Sequence, residues 1–266
     1  MIESSAPPQP PEGYLPVSRW RFSDFFLAFF AGLAGSIVVT IVVTQAGADP
    51  FEPIPFSLIF FAQAASSLVV LIARSRSRGT GSLAADTGLV VRARDWWGVP
   101  VGMGLQIAIA IVTLPLIELL FPDGTPEQGV SEITGTSETP IEMLLIIVSV
   151  VVVAPVLEEV LFRGVLLSIL RRRLGPWASI VISAAAFSAV HLLDPSAIAV
   201  VPGLFILGVV LGWVALKRGD LSMPIFIHSG INLLAAISLL FADEILRWSE
   251  TQLDQIEGVI RLLPWV

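Results

Sequence analysis

The sequence predicts an all-α, polytopic transmembrane helical bundle of seven or eight spans, and three observations predict it. Of the 266 residues, 55% are apolar and only 14% are charged, where soluble domains average roughly 25% charged. Mean hydropathy is +0.86, and the apolar residues come in blocks close to the ~20 residues a helix needs to cross a bilayer. The Lys and Arg residues fall in short clusters between alternate blocks. So few charges could not cover a soluble globule, which excludes that class. Cysteine is absent, which removes disulfides, thiolate nucleophiles and Cys-based metal sites together. The net charge of −7 comes without a basic patch, so nucleic acid is not an expected partner. Histidine occurs only at His191 and His228.

Residues 1–23 are polar and Pro-rich and end in Arg19-Trp20-Arg21. They read as a disordered tail leading to an interfacial anchor. Apolar blocks follow at about 24–45, 56–73, 97–121, 141–172, 177–193, 198–216 and 222–242. The first ends in Ala46-Gly47-Ala48, which resembles a signal-peptidase site. It is longer than the ~7–15 residues of a signal-peptide core, and an ordinary transmembrane helix is the expectation. Residues 24–139 are thus expected to hold helices without a recognised motif. The fourth block is too long for one untilted crossing and contains Pro155. It is either a single kinked helix that projects from the bilayer or a short helix followed by another. The tail 243–266, with Trp248 and Trp265, reads as an interfacial amphipathic segment.

Loop charge gives an orientation. Arg19 and Arg21 precede the first block, and Arg74, Arg76, Arg78, Arg92 and Arg94 separate the second from the third. Arg171 to Arg173 follow the fourth, and Lys217-Arg218 follows the sixth, whereas 46–55, 122–140 and 194–197 contain no Lys or Arg. The positive-inside rule then puts the N-terminus in the cytoplasm of a multi-pass cell-membrane protein. Gly98-x-x-x-Gly102 and Gly208-x-x-x-Gly212 are expected to let helices pack closely.

A few polar residues sit deep inside apolar blocks, where ionisable groups are costly and are functional candidates by default. They are Glu158, Glu159 and Arg163 in the fourth block, His191 at the end of the fifth, and His228 with Asn232 in the seventh. Glu159 and Arg163 are four apart with the acid first, the favourable order for an ion pair on one face. Glu158 is turned by about 100° from Glu159, which leaves it unpaired within its own helix and available as a general acid or base. His228 and Asn232 share a face, as do Phe187 and His191. Taken singly, each imidazole reads as a helix-bridging residue and the Glu-Arg string as a packing pair. Taken together, the carboxylates, imidazoles and amide on three helices read as one functional site able to bind a metal and activate water.

Glu158-Glu159-x-x-x-Arg163, Phe187-x-x-x-His191 and His228-x-x-x-Asn232, in that order on three helices, resemble the motif set of the CAAX-protease and bacteriocin-processing (CPBP, or Abi) family of intramembrane endopeptidases. The resemblance covers about residues 140–242, an expected catalytic core. It implies a metalloendopeptidase of the type II CAAX prenyl endopeptidase kind. Such an enzyme hydrolyses a peptide bond of a membrane-associated protein or peptide substrate. On it, Glu158 activates the attacking water, and His191 and His228 bind a metal or position the water and polarise the carbonyl. Asn232 contributes to an oxyanion site, and Arg163 with Glu159 holds the helix that presents Glu158. The cofactor implied is zinc on Glu158, His191 and His228, with glutamate-only chemistry as the alternative the family also allows. The neighbouring Arg171–Arg173 and Lys217-Arg218 clusters favour a cavity open toward the cytoplasmic leaflet. A proton relay or transporter, and a catalytically silent scaffold or immunity protein of the same fold, are the competing functions.

Overall fold

The computed structural model describes residues 19–123, 139–241 and 247. Most of the Pro-rich tail and, apart from Arg247, the C-terminal segment 243–266 lie outside the described residues. Seven helices are long and apolar enough to cross a membrane, and no strand occurs among the described residues. They are α1 (Phe22–Gln45), α2 (Pro53–Arg78), α4 (Gly98–Leu120), α5 (Pro140–Arg171), α6 (Pro176–Val190), α7 (Val201–Arg218) and α8 (Ser222–Leu240). A five-residue helix, α3 (Leu83–Thr87), lies between α2 and α4. The protein is a multi-pass membrane protein with seven spans among its described residues.

The long fourth block is a single helix. Thr139 and Glu142 form a reciprocal capping box at its start, with Pro140 in the first turn. Its 32 residues reach roughly 48 Å at about 1.5 Å per residue, well beyond the ~30 Å hydrocarbon layer. Pro155 neither breaks nor ends it, because the backbone changes register around the ring. A π-helical stretch, Val148–Val153, precedes Pro155, and a second, Glu159–Leu167, follows it. The i→i+5 pattern is rare and accumulates at functional sites. Here the second stretch begins on Glu159.

α5 runs through the bundle and meets α1, α2, α3, α6, α7 and α8, while α1 pairs with α2, α4 with α8 and α6 with α7. Lipid is as apolar as leucine, so close van der Waals contact rather than water exclusion drives these pairings. Small residues supply it. A Cβ on Gly102 would stand 2.0 Å from the Ile227 carbonyl oxygen, and one on Gly230 would stand 2.1 Å from that of Val99. A Cβ on Gly208 would come within 2.8 Å of the Ala184 Cβ. Both Gly-x-x-x-Gly motifs therefore mark helix contacts: α4 against α8, and α7 against α6. In its most apolar window α8 is 44% buried and α4 6%, so α8 is an inner helix and α4 a peripheral one.

Candidate functional site

The six deep polar residues lie on α5, on α8 and at the C-terminal cap of α6, and Arg163, His191 and His228 each meet the Phe187 ring. Glu159 and Arg163 form the expected pair, with Arg163 Nη1 donating to Glu159 Oε1 at 2.8 Å, and both are fully buried. A second donor reaches the same oxygen from α8: His228 Nδ1 lies 3.0 Å from Glu159 Oε1. A carboxylate oxygen already serving a guanidinium only accepts, so Nδ1 carries the proton. The opposite nitrogen, Nε2, then faces Glu158 Oε2 at 3.5 Å. Glu158 is the half-buried member, its side chain 23% exposed, so it is the carboxylate that a substrate or water can reach.

Phe187 organises the aromatic side of the site. The Arg163 guanidinium lies over its ring at 4.5 Å, a cation–π contact in a desolvated place. The His191 and His228 rings both meet it edge-on, at centroid distances of 5.0 and 5.8 Å. The two imidazoles thus flank one ring. His191 Nδ1 lies 2.9 Å from its own helix's Phe187 carbonyl oxygen. A carbonyl can only accept, so Nδ1–H donates and Nε2 presents a lone pair. His191 makes no hydrogen bond or ion pair with Glu158 among the described residues. The structure pairs Glu158 with His228 and sets His191 against the same Phe187 ring that His228 meets.

Asn232 has a clear local task. Its Nδ2 donates to the Val150 carbonyl at 2.7 Å. In an i→i+5 register the donor for Val150 would be residue 155, which is proline and has no N–H. Asn232 on α8 thus satisfies the acceptor that Pro155 orphans on α5, and its second amide N–H is left over for other use. Replacing Asn232 with leucine is expected to cost about 1 kcal/mol, the scale of a part-buried carbonyl losing its partner. In a Pro155→Ala background, where residue 155 has its own N–H, the same change is expected to cost clearly less. Detergent-based unfolding titrations of the four proteins check this, and equal costs in both backgrounds would contradict it.

The sequence left three participants unnoticed. Phe187 was visible only as the partner of His191, although it also serves Arg163 and His228. The Gly208 carbonyl accepts from Arg163 Nη2 at 3.3 Å, hidden inside a motif read as packing. Val150 was betrayed only by its five-residue distance from Pro155. As for metal, no three His, Asp or Glu side chains gather as ligands among the described residues. Glu158 and His228 offer two donors, and the free Nε2 of His191 stands outside that pair.

Fold and site together define a multi-pass membrane protein with a buried Glu-Arg-His cluster presenting one accessible carboxylate. Residues 140–234 match the family model described as "Type II CAAX prenyl endopeptidase Rce1-like", the family that the three motifs resemble. The matched segment contains all six candidate residues. No curated protein and no solved structure matches the chain.

Proposed function

We propose that the protein is an intramembrane endopeptidase that hydrolyses a peptide bond of a membrane-associated substrate with water activated by Glu158. The observation that carries this reading is the half-buried Glu158 carboxylate at 3.5 Å from His228 Nε2, with His228 fixed from behind by Glu159. The family match over residues 140–234 supports it. The Glu158 carboxylate takes a proton from water as the oxygen attacks the scissile carbonyl. The leftover Asn232 N–H is the donor for the developing oxyanion. Collapse of the tetrahedral intermediate breaks the C–N bond, and Glu158 returns the proton to the departing amine. The His191 Nε2 lone pair accepts a hydrogen bond from the same water and orients it. Glu159 and Arg163 act as positioning residues through His228 and the helix backbone.

Zinc is the second reading, favoured by one observation. A carboxylate behind the distal nitrogen of a histidine is the usual support of a metal-bound imidazole, and Glu159 stands in that relation to His228. Glu158 and His228 would hold the ion, which would polarise water and carbonyl, whereas His191 does not gather with them as a third ligand among the described residues. Elemental analysis decides: stoichiometric zinc that disappears in His228→Ala supports this reading, and its absence from active enzyme leaves the carboxylate to act alone.

The test of the main reading uses protein reconstituted in liposomes with two fluorescence-quenched peptides, one prenylated at a C-terminal CAAX sequence and one a single-span transmembrane peptide. Glu158→Gln, correctly inserted, is expected to lower turnover by about 10²–10⁴-fold, the usual worth of a general base. Cleavage by this variant at the wild-type rate would overturn the assignment. Substrate-dependent proton flux without cleavage, abolished by the same substitution, would instead establish a proton relay.

A further inference from the structure

Arginines from three parts of the chain converge on the first turn of α1. Arg19 and Arg21 lead into that helix, Arg74 and Arg78 belong to the last turns of α2, and Arg172 and Arg173 follow α5. Most of them are fixed by contacts. Arg74 Nε and Arg78 Nη1 reach Asp24 Oδ1 at 3.4 and 3.2 Å. Arg172 Nη2 donates to the Trp20 carbonyl, and the Arg173 guanidinium lies over the Phe22 ring at 5.3 Å. The acids beside them, Asp24 and Asp86, are both buried. The accessible charge at this turn is therefore positive.

A shallow cleft lies there, about 170 Å³ of space continuous with the surface, and its walls include Arg19, Trp20, Arg74, Arg78 and Asp86. The walls are held in place from behind. The Asp86 carboxylate accepts from Ser75 Oγ at 2.5 Å and from the Thr80 amide at 3.0 Å. The Asp86 carbonyl accepts from the buried Trp20 indole N–H at 3.0 Å. Asp24 engages Arg74 and Arg78 through one nitrogen each. A guanidinium has five N–H donors, so both keep donors for a second acceptor. Side chains ordered before a ligand arrives lose less freedom when it binds, and arginine forks match the oxygens of a phosphate. One turn further along the spans, on the faces that carry Asp24 and Arg74, stand Leu27 of α1 and Val70 of α2. Leu27 is exposed. An apolar pair beside an anion site suits a phosphate joined to acyl chains and gives inorganic phosphate nothing.

We infer that this cleft is a headgroup site for an anionic phospholipid, with the lipid phosphate on Arg19, Arg74 and Arg78 and an acyl chain along α1 and α2. Basic pockets between transmembrane helices bind anionic headgroups in this way. The positive-inside rule asks only that one side of the membrane carry more Lys and Arg. It does not ask that a buried aspartate hold two arginines beside a cleft. The same turn of α1 is tied to the end of α5 by Arg172 and Arg173, so the lipid would sit where three helices meet. The inference stands apart from the peptidase reading and uses none of its residues.

The full-length protein in an uncharged detergent is titrated with phosphatidylglycerol and with phosphatidylcholine of the same acyl chains, and bound lipid is counted by native mass spectrometry. Phosphatidylglycerol is expected to bind about tenfold more tightly than phosphatidylcholine. Arg19→Gln/Arg78→Gln, which leaves Arg74 on Asp24, is expected to weaken phosphatidylglycerol binding by about 10–30-fold. Arg19→Gln alone breaks no ion pair among the described residues, so it keeps the fold intact, and it is expected to lose about fivefold. Arg76→Gln/Arg94→Gln removes the same charge from the same end of the bundle but outside the cleft, and is expected to change binding by less than about twofold. Equal losses from the two double variants would reduce the effect to diffuse attraction and overturn the inference. Unchanged binding in Arg19→Gln, or equal affinity for the two lipids, would overturn it as well. Displacement of phosphatidylglycerol by millimolar inorganic phosphate would overturn the lipid assignment in favour of a free-phosphate site.

Discussion

Arg163→Met is expected to destabilise the protein by about 3–5 kcal/mol, the cost of leaving one member of a buried ion pair without its partner. Arg163 and Glu159 have side-chain exposures of 1% and 0%, so no water replaces the lost guanidinium. The damage is compounded because Glu159 Oε2 has no hydrogen-bond partner among the described residues, and removing Arg163 leaves His228 as the remaining described partner of the carboxylate. The Gly208 carbonyl and the face of Phe187 lose a contact in the same step. A Glu159→Met/Arg163→Met double variant is expected to recover much of the loss, since apolar pairs of similar volume often replace buried ion pairs at little cost. It is not expected to recover activity, because His228 then has nothing to fix its Nδ1 proton. Unfolding titrations in detergent, paired with the liposome assay, measure both. A double variant as unstable as Arg163→Met would show that the cost lies in cavity formation and not in the stranded charge.

Gly102→Ala is expected to cost about 1–3 kcal/mol and about 10²-fold in turnover, the scale at which a displacement of roughly 1 Å acts on a reacting geometry. The added Cβ would meet the Ile227 carbonyl oxygen at 2.0 Å and its carbon at 2.9 Å, and these are backbone atoms with no rotamer to change. Ile227 precedes His228, so any yielding of α8 at this contact shifts the imidazole relative to Glu158. Gly230→Ala drives the same two helices apart from the other side, through the Val99 carbonyl. The control is Gly104→Ala on the same helix, where a Cβ meets nothing within 4 Å. That change is expected to be neutral or stabilising by up to about 1 kcal/mol, through helix propensity alone. Equal losses from Gly102→Ala and Gly104→Ala would remove the steric explanation.

How much of this was legible beforehand depends on how local the cause is. The spans were legible because hydrocarbon solvent imposes length and composition on every crossing helix. The Glu159–Arg163 pair was legible because the i,i+4 relation is a property of one helix. The fourth block was ambiguous between one helix and two, since Pro155 ordinarily breaks a helix interior. The backbone resolved it by changing to π register around the ring, with Val150 satisfied by Asn232 from another helix. A remedy carried on another helix leaves no trace in the periodicity of the first.

By itself, the sequence determined that the chain is a membrane bundle, that its histidine chemistry can run only through His191 and His228, and which carboxylates lie deep enough to matter. Only the tertiary structure decided how those groups divide the work. It turned His228 into a bridge between two glutamates, set His191 and His228 against one Phe187 ring, and gave Asn232 the acceptor that a proline had orphaned. It also packed the short helix α3 against α5, with Thr87 meeting Gly164. The reason is physical. Composition and spacing record what each helix must satisfy against lipid and within itself, whereas a hydrogen bond from Asn232 to Val150, 82 residues away, depends on which helices touch and at what depth.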